Sequence, residues 1–381
     1  MLITLRGDKD LNKHFFSLTA GLLLLSMLAG CGGGAEPTPS PSAPAAEVTP
    51  EIQAELDAQL GLLTGYITEE ERQAALDLWL QIRPIREARL AAGQWAWRPR
   101  EETLLTELSA LYDQYTIQYL GGDEAGFGYT NPEETTLIAY SIGADGTLIA
   151  DPSTAGQLTG WTEEELMLLW QDMTDLLPEG AFADFKRLTF FTDGPEETVA
   201  WVQALNDPGD TWEIAVDPAD AGDRRYFVET ILHEYCHYLT LNSDQVTYTT
   251  SQTVDTYNEY GMVAHAGSYI DDFYQTYWTD YLDDCLACGD TYNFFLRHYD
   301  DFVTAYASTN PSEDIAEAFA YFVLWPEGGQ ADDAVWRQKI DFFYAYPELA
   351  AFRDQVRNHL GLAEDQAYED LFPADTNADA A

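Results

Sequence analysis

The chain has 381 residues, enough for one large or two modest domains with a sizeable buried core. Hydrophobic residues make up 46% and aromatic residues 13%, a profile that excludes a disordered chain. Only 18 Lys and Arg stand against 66 Asp and Glu, and the resulting net charge of −48 sets nucleic acid and anionic lipid surfaces aside as partners; an acidic surface of this kind suits solubility outside the cell.

Arg6, Lys9 and Lys13 precede an apolar stretch from Phe15 to Ala29 that is too short for a comfortable membrane span. It ends in Leu28-Ala29-Gly30-Cys31, with Gly32, Gly33 and Gly34 behind it. This string resembles the lipobox of a bacterial lipoprotein signal peptide. The resemblance implies a signal peptide over residues 1–30, cleavage before Cys31 and lipid on its sulfur. Residues 31–50 are a Pro/Ser/Ala tether that cannot build a core. The mature chain is thus expected at the bacterial cell surface or another extracytoplasmic membrane face, touching the membrane through its lipid anchor alone.

Residues 51 to about 118 carry apolar side chains at three- and four-residue spacing and predict helices. Thr68-Glu69-Glu70-Glu71 is a capping box, and Pro84 should end or kink the helix that it starts. Two runs beginning at Thr136 and Thr147, with Ala144-Asp145-Gly146 between them, predict a β-hairpin. A second capping box, Thr162 to Glu165, opens a helix running to about Leu177. Strands are expected over Lys186–Thr192 and Thr211–Asp217, and an edge strand beside the helix that follows could take up an extended peptide. The N-terminal helical region with its hairpin is assigned to residues 51–180, a second domain to 181–362 and an acidic tail to 363–381.

The informative motif is His233-Glu234-Tyr235-Cys236-His237, an H-E-x-x-H string on a helix starting near Tyr226. Histidines four apart share one helix face, so both imidazoles can reach one zinc ion while Glu234 is placed to take a proton from water. A catalytic zinc site usually needs a third protein ligand. Thr240 and Ser243 occupy the positions where a metzincin carries Gly and His, so that subclass is excluded. His265 has no recognisable pattern around it and reads as a surface histidine. Further on, Asn310-Pro311 is an N-cap with proline at the first helical position. Glu313 and Glu317 then share one face of that helix. Taken alone, Glu313 could equally be a capping partner of Asn310 and Glu317 a solvated charge.

The order of these motifs, with Tyr306 seven residues before Glu313, resembles the gluzincin zinc peptidases, and more narrowly the catalytic domain of anthrax lethal factor and the Pro-Pro endopeptidases. The resemblance covers roughly residues 185–360. It implies an α+β, zincin-like fold: a small mixed sheet, the H-E-x-x-H helix and a second Glu-bearing helix, preceded by a mostly helical region. It further implies Zn2+ held by His233, His237 and Glu313, with Glu234 as general base, Tyr306 as oxyanion donor and Glu317 orienting a histidine ligand. The partner is then a peptide or protein substrate, hydrolysed with zinc-activated water. The stretch from His237 to Glu313 is longer than in the small relatives, so substrate preference does not carry over.

Cys285 and Cys288 form C-x-x-C, compatible with a short-range disulfide in an exported chain. Cys236 reads as a small buried hydrophobe. The reading that competes with a peptidase is a non-catalytic zincin-fold surface lipoprotein acting as a binding module.

Overall fold

A computed structural model describes residues 48–372 apart from 61–62, 64–66, 93–96, 121–133, 155–157, 195–197, 208, 250–253, 260, 281, 288–290 and 329–333. The expected signal peptide, Cys31, nearly all of the tether, Cys288 and the end of the acidic tail lie outside the described residues. Among those described, no helix is long and apolar enough to cross a membrane.

The fold is α+β. In chain order its helices are α1 (Pro50–Leu60), α2 (Glu69–Leu90), α3 (Pro99–Leu120), α4 (Glu163–Leu176), α5 (Arg224–Leu241), α6 (Tyr269–Tyr277), α7 (Leu282–Ala287), α8 (Thr291–Arg297), α9 (Pro311–Leu324), α10 (Val335–Asp341) and α11 (Pro347–Leu360). The strands are β1 (Thr135–Ile142), β2 (Leu148–Ala150), β3 (Phe185–Thr192), β4 (Ala200–Ala204), β5 (Trp212–Val216), β6 (Val246–Tyr248), β7 (Asn258–Glu259) and β8 (Met262–Ala264).

The chain divides into two compact units. One holds α1, α2, α3 and α8 around a core of Leu56, Leu60, Trp79, Ile82, Leu104 and Leu296. Thr68 caps α2 as expected, its hydroxyl accepting from the Glu71 amide at 3.3 Å. Pro84 neither ends nor breaks that helix, which runs on to Leu90. Ile82 on one side of the proline and Arg89 on the other are both fully buried, and Arg89 pairs with buried Glu101 at 2.9 Å. Packing on both sides outweighs the ~3 kcal/mol that proline costs inside a helix.

The other unit carries a five-stranded sheet in the order β2-β1-β3-β5-β4. β1 pairs antiparallel with both β2 and β3, so the hairpin expected in the N-terminal region belongs to the same sheet as the strands beyond residue 181. Gly146, at φ +78°, turns this hairpin, a conformation that a side chain would strain. β3 and β5 run parallel, and β4 lies antiparallel to β5 at the sheet edge. β5 is buried along its whole length, as befits a strand covered on both faces. Its one charge, Glu213, is answered by the Thr189 hydroxyl at 2.5 Å, the Gln203 amide at 2.8 Å and Arg187 at 3.0 Å.

Two helices pack together beside this sheet. α5 opens on Asp223, whose carboxylate accepts from the Arg225 amide at 3.0 Å, and it packs on β4 and on α9. α9 is buried on nearly every face. It starts at Asn310, which accepts from the amides of Ser312 and Glu313 at 2.9 and 3.0 Å. At its other end Arg353 and Arg357 of α11 reach the terminal carbonyls. Arg353 donates to Phe322 at 2.7 Å and to Trp325 at 2.8 Å, and Arg357 donates to Val323 at 3.1 Å. These cations answer carbonyls that a helix end leaves without partners. Within the stretch between His237 and Glu313, β6, β8 and β7 form a small antiparallel sheet.

Candidate metal centre

Because α5 is packed between β4 and α9, its polar motif is forced inside: His233 and Glu234 are each 1% exposed and His237 is 5% exposed. Burying such groups costs several kcal/mol unless each finds a partner. The partner comes from α9. His233 Nε2 lies 3.0 Å from His237 Nε2 and 3.0 Å from Glu313 Oε2, and His237 Nε2 lies 3.3 Å from the same oxygen. Three lone-pair donors thus converge on one point, an arrangement that can hold a metal ion. Helical spacing alone supplies the histidine pair. The third donor depends on α9 crossing α5 at that level.

The far side of His233 is held too. Its Nδ1 lies 2.8 Å from Glu317 Oε1, while Glu317 Oε2 accepts from the Thr304 hydroxyl at 2.7 Å. With Nδ1–H given to a carboxylate, Nε2 keeps its lone pair for the point shared with His237 and Glu313. Burial alone would pull the His233 imidazole down, but its hydrogen bonds to Glu313 and Glu317 outweigh that and hold it well above its ordinary value. Burial pushes the other way on Glu313, yet the two imidazoles hold its carboxyl well below the usual carboxylate range.

Glu234 sits between α5 and the sheet edge. Its Oε2 accepts from the Val202 amide of β4 at 3.1 Å. Burial lifts its carboxyl to about 7, aided by the Glu313 charge and opposed by the histidines. Tyr306 stands in a short 3-10 turn, Tyr306–Thr309, its ring 5.9 Å from the His233 ring. Burial, together with the charges of Glu313 and Glu234, raises its phenol well above the ordinary value, so the hydroxyl keeps its proton.

His233, Glu234, His237, Glu313, Glu317 and Tyr306 are therefore brought together. His265 is not among them. It lies on the surface, within 2.7 Å of the Thr247 hydroxyl and 2.9 Å of the Asp244 carbonyl. Cys236 is buried against α9, its thiol 3.7 Å from the Ile315 carbonyl and pushed well up by burial. Cys285 closes α7 with its sulfur 3.5 Å from the Ser308 carbonyl, and its pairing with Cys288 lies outside the described residues.

A second acidic group, Asp193, Asp217 and Asp220, brings carboxylate oxygens within 4.8 Å of one another. The Asp217 oxygens already accept from the amides of Ala219 at 2.7 Å and Asp193 at 3.1 Å, which accounts for that cluster as a turn. Sequence reasoning missed the Val202 amide and Thr304. A backbone donor on a five-residue strand and one hydroxyl in a loop leave no pattern to read.

Comparisons with protein-family models, with curated proteins and with solved structures find no match to this chain.

Proposed function

We propose that the chain is a zinc metallopeptidase with a zincin-like catalytic unit of the gluzincin type. The observation that carries this reading is the triangle of His233 Nε2, His237 Nε2 and Glu313 Oε2, with sides of 3.0, 3.0 and 3.3 Å. Two imidazoles and one carboxylate are the donor set of a catalytic zinc site that keeps a fourth position open. Tetrahedral zinc with bonds of ~2.0–2.1 Å separates its ligand atoms by about 3.3 Å, which these distances fit. Calcium and magnesium favour all-oxygen shells and suit the two nitrogens poorly.

Zinc in such a site lowers the pKa of water and polarises a carbonyl oxygen. The chain's own residues supply the rest. The Val202 amide fixes Glu234 Oε2, which leaves Oε1 to take the proton of the attacking water and return it to the leaving amine. A carboxyl lifted to about 7 is well matched to both tasks at neutral pH. Tyr306, kept protonated, donates from its hydroxyl to the oxyanion that forms on the scissile carbonyl. β4, at the sheet edge next to α5, offers backbone groups along which an extended peptide can lie. The lipobox-like string ending at Cys31 supports an activity held outside the membrane.

The test is a peptide-library digest by the wild-type chain beside Glu234→Gln, with zinc measured in both. Cleavage that stops on chelation and in Glu234→Gln, with zinc retained by the variant, is the expected result. Zinc bound without cleavage would favour the binding-module reading.

A further inference from the structure

We propose that Thr304 is a positioning residue whose single hydroxyl ties the histidine side of the metal centre to the turn that carries Tyr306. The inference rests on the metal reading of the site. Thr304 Oγ1 donates to Glu317 Oε2 at 2.7 Å and accepts from the Ala307 amide at 3.1 Å. Glu317 in turn holds His233 Nδ1 at 2.8 Å. Tyr306 lies between Thr304 and Ala307, inside the loop that this hydroxyl closes.

A hydroxyl has one proton to give, and the carboxylate of Glu317 fixes where that proton points. The lone pairs are then turned towards Ala307. One donation and one acceptance together lock three things: the rotation of the Glu317 carboxylate, the tautomer and tilt of His233, and the backbone of the 3-10 turn. Glu317 has no second helix to brace it on this side, so without Thr304 its carboxylate can turn about its last bond. Groups that orient a metal-bound histidine in this way typically govern metal affinity by about 10- to 100-fold. Serine can make both bonds. Valine, of nearly the same shape, can make neither.

The test uses the full chain with zinc or cobalt(II) alone as the probe, read by competition with a chromophoric chelator and by the visible spectrum of the cobalt form. Thr304→Val should weaken zinc binding by about 10- to 100-fold and change the cobalt spectrum, with Thr304→Ser restoring both. Glu317→Gln should lose affinity in the same range, and the double variant should be no weaker than Glu317→Gln alone, because one residue acts through the other. At saturating zinc, Thr304→Val should also lower kcat with KM held, reporting the loosened Tyr306 turn. Where Thr304→Val does not fold, Thr304→Ala is judged on the same criteria.

Wild-type affinity in the valine or alanine variant overturns the inference, and so do losses that add to those of Glu317→Gln. Metal binding is measured without peptide. A chain that shows these shifts but cleaves nothing therefore sinks the peptidase reading and leaves Thr304 in its role. A wild-type chain that holds no metal overturns both.

Discussion

Asp314 and Lys339 form an ion pair sealed from solvent: Lys339 Nζ lies 2.6 Å from Asp314 Oδ2, and neither side chain is exposed. Trp278 donates to the same oxygen at 2.7 Å, and the ammonium sits 3.8 Å from the centre of the Phe302 ring. Asp314 directly follows the candidate ligand Glu313, so the pair pins the first turn of α9 from behind the metal centre.

Lys339→Met should therefore destabilise the chain by about 3–5 kcal/mol, because Asp314 would stay buried without its partner. The double variant Asp314→Asn/Lys339→Met should recover part of that loss. Urea unfolding of the four proteins gives the coupling directly. Purely additive losses would show that the pair does not act as a unit.

Tyr306→Phe keeps the ring and removes the donor. On the proposed mechanism kcat falls by about 10²–10³-fold while zinc content and KM hold. A variant that loses zinc in parallel with rate would make Tyr306 a structural member of the site.

Metal removal has a signature independent of turnover. The triangle of His233, His237 and Glu313 brings buried polar atoms together, and a bound ion adds RT ln(1 + [L]/Kd) to stability, ~4 kcal/mol at a thousandfold excess over Kd. A chelator should lower the melting temperature of the wild-type chain by several degrees, and added zinc should restore it. Glu313→Gln should melt at the same temperature with and without chelator. A wild-type chain indifferent to chelation would speak against any resident ion.

Asp217 gives a dependence on pH. Burial pushes its carboxyl up from 3.8 to about 6, against the pull of the Ala219 amide. The folded chain therefore binds a proton that the unfolded chain has released between those values. Its contribution to stability is full below about pH 4 and is lost as pH rises through about 6. Urea midpoints taken from pH 4 to 7 should fall less steeply in Asp217→Asn than in the wild type. Parallel profiles would place the slope elsewhere.

Local signals read well from sequence. The capping boxes at Thr68 and Thr162, the Asp145-Gly146 turn and the Asn310-Pro311 helix start are each decided within a few residues, and each stands where expected. The α+β class and the meeting of His233, His237 and Glu313 also agree with the motif order. What sequence hid depends on neighbours distant along the chain. β4 is five residues long and carries no run that marks it as a strand, because its pairing with β5 and the α5 side chains define it. Pro84 looked like a stop because local propensity ignores the burial of Ile82 and Arg89 around it. Glu317 could be read as a solvated charge until the fold set it against His233.

The clasp at the far end of α9 bears on how small the site can be made. Residues 224–324 contain both histidines, the base, the tyrosine and both glutamates. Yet Arg353 and Arg357, which hold the last carbonyls of α9, contribute no ligand and lie well downstream. Glu369 also holds the Trp325 indole at 3.1 Å, and Tyr368 reaches back to the Arg224 carbonyl at 3.4 Å. A fragment cut to the motif would keep every chemical group and lose the scaffold that sets their spacing. The smallest portable form of this centre extends to at least residue 369.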